Sequence, residues 1–425
     1  MSVAEMNAMP AGSAAPRVVL GVAGGIAAYK SCEVLRALTE SAHHVDVIPT
    51  DAALNFVGAA TFEALSGHPV TTGVFSDIPA VRHVSLGQRA DLIVVVPATA
   101  DLISRMAQGR ADDLLTASLL VARCPVLIAP AMHTEMWEHP ATRANIATLR
   151  ERGVAVVGPA IGRLTGADTG AGRLAEPAEI AELAKLLIQR PEALPADLTG
   201  RRVLVTAGGT REALDPVRFL TNRSSGKQGV AIARVAAARG AEVTFVAANI
   251  HAPDPAGSRV IRVESARQMQ EVVTAEAKEA DVVVMAAAVS DFRPSNYSGA
   301  KIKKTDADPD IVALTKNPDI LAGLVRDRTA GALRASTLIT GFAAETGDDK
   351  HTVIDYARAK LERKGCDLLL VNSVAAGGAF EGDTNAGVVL GSDGTEVTIA
   401  DGSKTALAAR LLDVIAGKLR DRAPA

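Results

Sequence analysis

The sequence predicts an α/β protein of two domains, each a largely parallel sheet covered by helices, and three observations carry that expectation. Arg17 to Lys30 reads RVVLGVAGGIAAYK: Val18, Val19 and Leu20 suit a buried strand, Gly24 and Gly25 a tight turn, and Ala27 onward a helix. Arg201 to Glu212, RRVLVTAGGTRE, opens a second half in nearly the same way. Short Val/Ile/Leu runs then recur at helical separations, as strands buried on both faces do. At a strand–glycine–helix junction the backbone can approach a phosphate closely, and the free amides of the helix start can bind it. One such junction is equally well an ordinary turn; two in one chain point to two nucleotide-type sites.

At 425 residues the chain is long for a single core. Its 48% hydrophobic and 22% charged residues exclude extended disorder. A net charge of −3 argues against a nucleic-acid partner, which would need a basic surface. Aromatic residues make up only 3%, which suits parallel sheets with closely packed helices. Cys32, Cys124 and Cys366 lie far apart with no CxxC pair, and so suggest neither a zinc site nor a disulfide framework. Residues 1–16 hold no Lys or Arg and no long apolar run, so a disordered tail is expected rather than a signal peptide. The apolar run Val282 to Val289 is far below the ~20 residues that span a bilayer. A cytoplasmic protein without a membrane partner is expected.

In the first half the pattern predicts a helix over 27–39 and strands at 45–48, 92–96, 126–129 and 154–157. Ligands of such sheets bind beyond the carboxyl ends of the strands. Gly24, Thr50, Thr99 and His133 all fall there, so four turns on one rim suggest a pocket. His83 is expected just before a helix that leads to the 92–96 strand; taken alone, it reads as a surface or satisfied structural histidine.

Gln189 to Gly200 holds two prolines and ends in glycine, marking a linker between domains at 17–188 and 201–425. Beyond it come a strand at 203–206, the run Asp215-Pro-Val-Arg218, and Thr221-Asn-Arg-Ser-Ser-Gly-Lys227 before a helix at 228–239. The last run lacks the GxxxxGK spacing of a P-loop, yet it can place donors at a helix start; an N-capped helix behind a polar loop accounts for it equally well. Strands at 282–285, 338–341 and 368–371 end in Ala286 to Phe292, Phe342 to Thr346 and Asn372. Lys301, Lys303 and Lys304 could be a solvated face. They lie between Asp291 and the run Lys316-Asn-Pro-Asp-Ile320, while Lys360 and Lys364 share a helix face. Concentrated positive charge beside backbone amides suits a triphosphate. A helix from about Thr405 ends the chain.

GVAGGIAAYK, ADLIVVVPATADLI and PAMHTEMW resemble the flavin-dependent cysteine decarboxylases, whose fold is flavodoxin-like and binds FMN. From about Arg17 nearly to the C-terminus, the chain is similar to the bifunctional phosphopantothenoylcysteine decarboxylase/phosphopantothenate–cysteine ligase family. That likeness implies a Rossmann-like α/β ligase domain in the second half. By matching positions, His83 corresponds to the family's active-site histidine, Gly24, Gly25 and Ile26 to the turn near the flavin phosphate, and Thr50, Phe56, Thr99 and Ala100 to segments lining FMN. The implied chemistry oxidises the substrate's cysteine thiol to a thioaldehyde, loses CO₂ against the C=S electron sink, and returns the electrons to the enethiol. Three positions depart from the family pattern: His133 stands for an asparagine, Gly166 for a flap cysteine, and Asp112 for the asparagine of Ala-Asn-Asp-Leu. With no side chain at Gly166 to donate a proton, His133 or a bound water is expected to supply it.

For the second half the resemblance implies that 4′-phosphopantothenate attacks the α-phosphorus of CTP, giving an acyl-CMP that the amine of cysteine then opens. The product, 4′-phosphopantothenoylcysteine, is the substrate of the first half. Asn222 matches the residue acting on the acyl-cytidylate and Lys301 the catalytic lysine, with Mg²⁺ bridging the phosphates. Asp291, Pro318, Asp319, Ile320, Leu321, Phe342, Lys360 and Lys364 match CTP-binding positions, and Arg218 the motif facing phosphopantothenate. A homo-oligomer with flavin sites between subunits is implied, and a dodecamer of decarboxylase trimers is compatible with it. Two alternatives stay open: an NAD(P)-dependent oxidoreductase, against which the missing GxGxxG argues, and a ligase whose flavin domain is a catalytically silent regulatory or assembly module.

Overall fold

Five parallel strands in the order β2-β1-β3-β4-β5 form the first sheet of the computed structural model: β1 (Arg17–Val22), β2 (His44–Pro49), β3 (Leu92–Ala98), β4 (Val126–Pro130) and β5 (Ala155–Val156). The structure describes residues 15–70, 72, 82–164, 168–303, 312–345, 351–373 and 382–422. Every residue of β3 is buried, as its unbroken apolar run requires of a strand covered on both faces. The covering helices are α1 (Ser31–Thr39), α2 (Ala59–Ser66), α3 (Arg82–Arg89), α4 (Ala100–Gln108), α5 (Leu114–Leu120), α6 (Thr134–Glu138), α7 (Pro140–Glu151) and α8 (Pro177–Gln189). Of these, α1 packs on α8, α3 on α5 and α4 on α7. Val19, Ile93, Val95, Ile103, Leu114, Ile128 and Ile146 share one core cluster.

Local chemistry fixes where these helices start. Thr99 caps α4 by accepting from the Leu102 amide, Asp113 and Thr116 form a reciprocal capping box at α5, and proline opens α7 and α8. Two local expectations are corrected. The helix expected over 27–39 begins as a 3₁₀ turn, Ile26–Lys30, and becomes α-helical only at Ser31. His83 lies within the first turn of α3, not ahead of it. The hairpin of β6 (Ala160–Arg163) and β7 (Thr169–Arg173) follows β5. Residues 165–167, and so Gly166, lie outside the described residues, as do Lys304 and Thr346.

The second unit carries an eight-stranded sheet. It uses β8 (Arg202–Gly208), β11 (Glu242–Ala248), β12 (Ser258–Val263), β13 (Val282–Met285), β16 (Leu338–Glu345), β17 (Leu368–Ser373), β18 (Thr384–Gly391) and β19 (Glu396–Ser403), in the order β12-β11-β8-β13-β16-β17-β18-β19. The first six are parallel; β18 and β19 are antiparallel additions at one edge. Numbered along the chain, the parallel six run 3-2-1-4-5-6, the Rossmann order. Two short hairpins stand apart, β9 (Arg211–Ala213) with β10 (Phe219–Thr221), and β14 (Phe292–Pro294) with β15 (Leu314–Lys316). Helices α9 (Lys227–Ala238), α10 (Ala266–Glu276), α11 (Ile320–Thr329), α12 (Val353–Lys364) and α13 (Lys404–Asp421) complete the unit. The described residues fall into two compact units, one running to Asp197 and including Ala237–Gly240, the other made of Leu198–Ala236 and the residues from Ala241 on. No described helix is long and apolar enough to cross a membrane.

Candidate active sites

The strand order 2-1-3-4-5 places a topological switch point between β1 and β3, where the crossovers leave in opposite directions and a crevice opens. A cavity of about 1100 Å³ lies there. Its wall takes Gly24, Gly25 and Ile26 from the turn after β1, Thr50 from the turn after β2, Thr99 and Ala100 after β3, and His133 after β4. Thus the structure gathers the expected rim residues around one space. Phe56 and His83 do not line it: the Phe56 side chain is exposed, and His83 keeps a buried Nδ1 with no hydrogen-bond partner among the described residues.

The wall fits a flavin nucleotide. A β-carbon at Gly24 would lie 2.4 Å from the β-carbon of Ala52, so only bare backbone fits between the two turns. Gly25 is open, its nearest neighbour being the Thr99 methyl at 3.6 Å. Ala23, Ile26, Pro97, Met132 and Leu174 add apolar surface for a ring, with Thr50 and Thr99 as polar partners. The β6–β7 hairpin closes one side: the Met132 amide donates to the Gly172 carbonyl at 2.9 Å, and a β-carbon at Gly170 would fall 2.2 Å from Thr134 Oγ1.

One cavity-wall feature was missed at the level of sequence. Arg105 Nη1 donates to Asp113 at 2.7 Å and Asp112 at 3.0 Å, while its Nε lies 3.1 Å from Asp101. Burial disfavours its charge, but these carboxylates outweigh that and raise its pKa. Asp112, hydrogen-bonded to Arg105, is held below the usual carboxylate range. The i,i+4 spacing of Asp101 and Arg105 was the available signal.

In the second unit the switch point falls between β8 and β13. Gly209, just past β8, bridges to Ala288, just past β13. Thr210 Oγ1 accepts from the Ser290 amide at 3.0 Å, and Thr221 Oγ1 donates to the Thr210 carbonyl at 2.8 Å. Asn222 follows, its Nδ2 donating to the Val289 carbonyl at 3.1 Å. From there Asn317 Nδ2 donates to the Ser290 carbonyl at 2.9 Å, and its amide to the Asp291 carbonyl at 2.8 Å. Pro318 and Asp319 come next; Asp319 caps α11 and accepts from Lys364, and Leu321 packs against Gly341 beside Phe342. Lys360 stands one turn before Lys364 on α12. Burial works against the Asp319 charge, yet Lys364 and the Ala322 amide hold its pKa below the ordinary value.

Lys301 and Arg218 belong to a second group. Asp215, almost fully buried, accepts from the amides of Val217 and Arg218 through Oδ1, at 2.8 Å each, and from the Ile302 amide through Oδ2 at 3.2 Å. Arg218 Nη2 donates to the Ile302 carbonyl at 2.9 Å. Burial opposes ionisation of Asp215, but the three amides and Arg218 lower its pKa. Among the described residues, no hydrogen bond or ion pair joins Lys301 to Asn222, Asp291 or Lys364. The described residues contain no group of three or more His, Cys, Asp or Glu able to hold a metal.

Comparison with known proteins adds two family matches. Residues 7–189 match the family described as Flavoprotein, and residues 198–419 the DNA/pantothenate metabolism flavoprotein C-terminal domain. The Coenzyme A biosynthesis bifunctional protein CoaBC of Mycobacterium tuberculosis (strain ATCC 25618 / H37Rv) is 63% identical over 400 residues, covering 94% of this chain and 96% of that protein. Its namesake in Mycolicibacterium smegmatis is 60% identical over 411 residues (96% and 99%). That of Vibrio vulnificus (strain CMCP6) is 40% identical over 406 residues (95% and 98%).

Proposed function

Because the chain belongs to the family of bifunctional coenzyme A biosynthesis proteins, with a flavoprotein decarboxylase domain followed by a pantothenate-metabolism ligase domain, we propose the following division of labour. Residues 201–425 join 4′-phosphopantothenate to cysteine at the expense of CTP. Residues 17–188 decarboxylate the resulting 4′-phosphopantothenoylcysteine to 4′-phosphopantetheine, and 189–200 link the two. The observation that supports this reading is that Gly24, Gly25, Ile26, Thr50, Thr99, Ala100 and His133 line one cavity at the switch point of the first sheet, while Asn222 bonds to Val289 beside the Gly209–Ala288 bridge at that of the second.

In the first half, Gly24, Gly25 and Ile26 present backbone to the phosphate of FMN, while Thr50, Thr99 and Ala100 flank it. Bound there, FMN supplies the reversible two-electron exchange with the substrate's sulfur that makes decarboxylation possible without net redox change. His133 projects from the end of β4 into the same cavity, where its imidazole can hold the substrate carboxylate or deliver a proton. His83 is the second histidine of this reading. It does not line the cavity of a single chain, which favours a homo-oligomer in which another copy brings α3 to the rim.

In the second half, Asn222 and Asp291 lie on the loops that meet between β8 and β13 and receive the nucleotide and the acyl-cytidylate. Pro318 to Leu321, Phe342, Lys360 and Lys364 hold CTP, Arg218 faces phosphopantothenate, and Lys301 offsets charge developing at the α-phosphorus. Mg²⁺ enters with CTP, since it ordinarily keeps waters and substrate phosphates as ligands. The enzyme works in the cytoplasm on small molecules.

The test is a single reaction of the purified protein with 4′-phosphopantothenate, cysteine, CTP and Mg²⁺, following CMP and CO₂ together. Equal release supports both activities. CMP without CO₂ would leave the ligase and make the flavin half a silent module. Release of neither would overturn the reading.

A further inference from the structure

Lys301 stands on an exposed stretch, 298–303, that belongs to no strand or helix. Among the described residues, its hydrogen bonds to the rest of the unit run to a single turn. The Ser298 amide donates to the Leu214 carbonyl at 3.0 Å, the Ile302 amide to Asp215 Oδ2 at 3.2 Å, and Arg218 to the Ile302 carbonyl at 2.9 Å. Ile302, the residue after Lys301, is thus gripped at both its N–H and its C=O. Oδ1 of Asp215 folds its own turn through the amides of Val217 and Arg218, while Oδ2 reaches the amide of a residue 87 positions further along the chain and faces the Arg218 Nε at 3.8 Å.

We infer that Asp215 is a positioning residue of the ligase: its buried carboxylate ties the Asp-Pro-Val-Arg turn to the Lys301 segment and sets where the lysine stands during acyl-CMP formation. A buried carboxylate whose lone pairs meet three amide donors leaves little freedom to the groups that donate to it. An exposed loop lysine would otherwise sample many positions, and small misplacement of a charge-stabilising group is costly to rate. The inference rests on the reading of Lys301 as the ligase's catalytic lysine.

Asp215→Asn separates the two roles of this side chain. Its carbonyl oxygen can still fold the local turn, while its NH₂ replaces the acceptor facing the Ile302 amide, setting donor against donor. Ile302→Pro removes the same hydrogen bond from the other side, at a residue that is partly exposed. Two readouts are taken on the full-length protein. One is the first-order rate constant of pyrophosphate release from CTP and 4′-phosphopantothenate without cysteine, which does not depend on the folded fraction. The other is the rate of tryptic cleavage, mapped by mass: after Lys301 and Lys303 in Asp215→Asn, and after Lys303 alone in Ile302→Pro, where the Lys–Pro bond resists trypsin. Both variants are expected to slow pyrophosphate release about 10²-fold and to speed cleavage at these sites selectively, and the double variant is expected to be no worse than either single one. An unchanged rate constant in Ile302→Pro, unchanged cleavage after Lys301 and Lys303 in Asp215→Asn, or additive losses in the double variant would overturn the inference. If the unaltered enzyme itself releases no pyrophosphate, the ligase reading falls, whereas the cleavage comparison still decides whether Asp215 holds the segment.

Discussion

Lys364, the last residue of α12, donates to the Asp319 carboxylate that also caps α11, so one side chain ends one helix contact and begins another across 45 residues of sequence. Asp319→Ala removes the cap and leaves Lys364 without this partner. The expected outcome is a loss of about 1 kcal/mol in urea unfolding at pH 7, the usual size of an N-cap deletion, together with weaker CTP binding in a titration of the intact enzyme.

The pH dependence of that loss has a definite sign. Asp319 has its pKa lowered in the folded state, so its stabilisation is fully present above the unfolded value of about 3.9 and disappears as pH falls through the folded value. Urea midpoints of the two proteins should differ at pH 7 and begin to converge only below about pH 4.

Gly24→Ala forces a methyl group to within 2.4 Å of the Ala52 β-carbon. Overpacking of this kind costs about 1–3 kcal/mol, and here it also pushes the turn away from the phosphate it is proposed to hold. The purified variant should lose its bound yellow chromophore and its CO₂ release while CMP release is retained, as absorbance and the two-product assay would record.

His133→Ala should lower CO₂ release about 10²-fold or more, the usual contribution of a positioned proton donor, and leave CMP release unchanged. Unaltered decarboxylation would remove His133 from the proton-delivery role and leave that step to water.

Burial pushes the thiols of Cys124 and Cys366 up to about 11, so at pH 8 very little of either is thiolate. Iodoacetamide at pH 8 should spare both in the native protein and label both in urea, as peptide mapping would show.

How much of this was legible in the sequence follows from the range over which each feature is determined. The strands ending at Gly24, Thr50, Thr99 and His133 could be read because a doubly buried strand needs an unbroken apolar run, and a parallel sheet puts all such ends on one side. Asp319 and Lys364 were both selected, but their pairing depends on how α11 and α12 pack. Phe56 follows the turn after β2 in sequence, yet it turns outward, because a 3₁₀ turn at Ala53–Asn55 re-aims the chain. Arg105 escaped notice since its three acid partners are assembled partly by the turn between α4 and α5. The grip of Asp215 on Ile302 leaves no local trace at all.

β8 is the first strand of its sheet to be synthesised, yet it sits between β11 and β13. The ribosome therefore delivers this sheet from the inside outward, first on the side of β11 and β12, then on that of β13, β16 and β17. Parallel partners many residues apart pair slowly, and until β18 is made the buried strand β17 is the edge of the sheet. β18 and β19 arrive last and cover that side as an antiparallel hairpin. A nascent chain released before Thr384 would offer β17 to any neighbouring chain as a template. The hairpin that contributes none of the proposed site residues thus serves as the closing stitch of translation, and termination upstream of it would leave β17 as a bare edge.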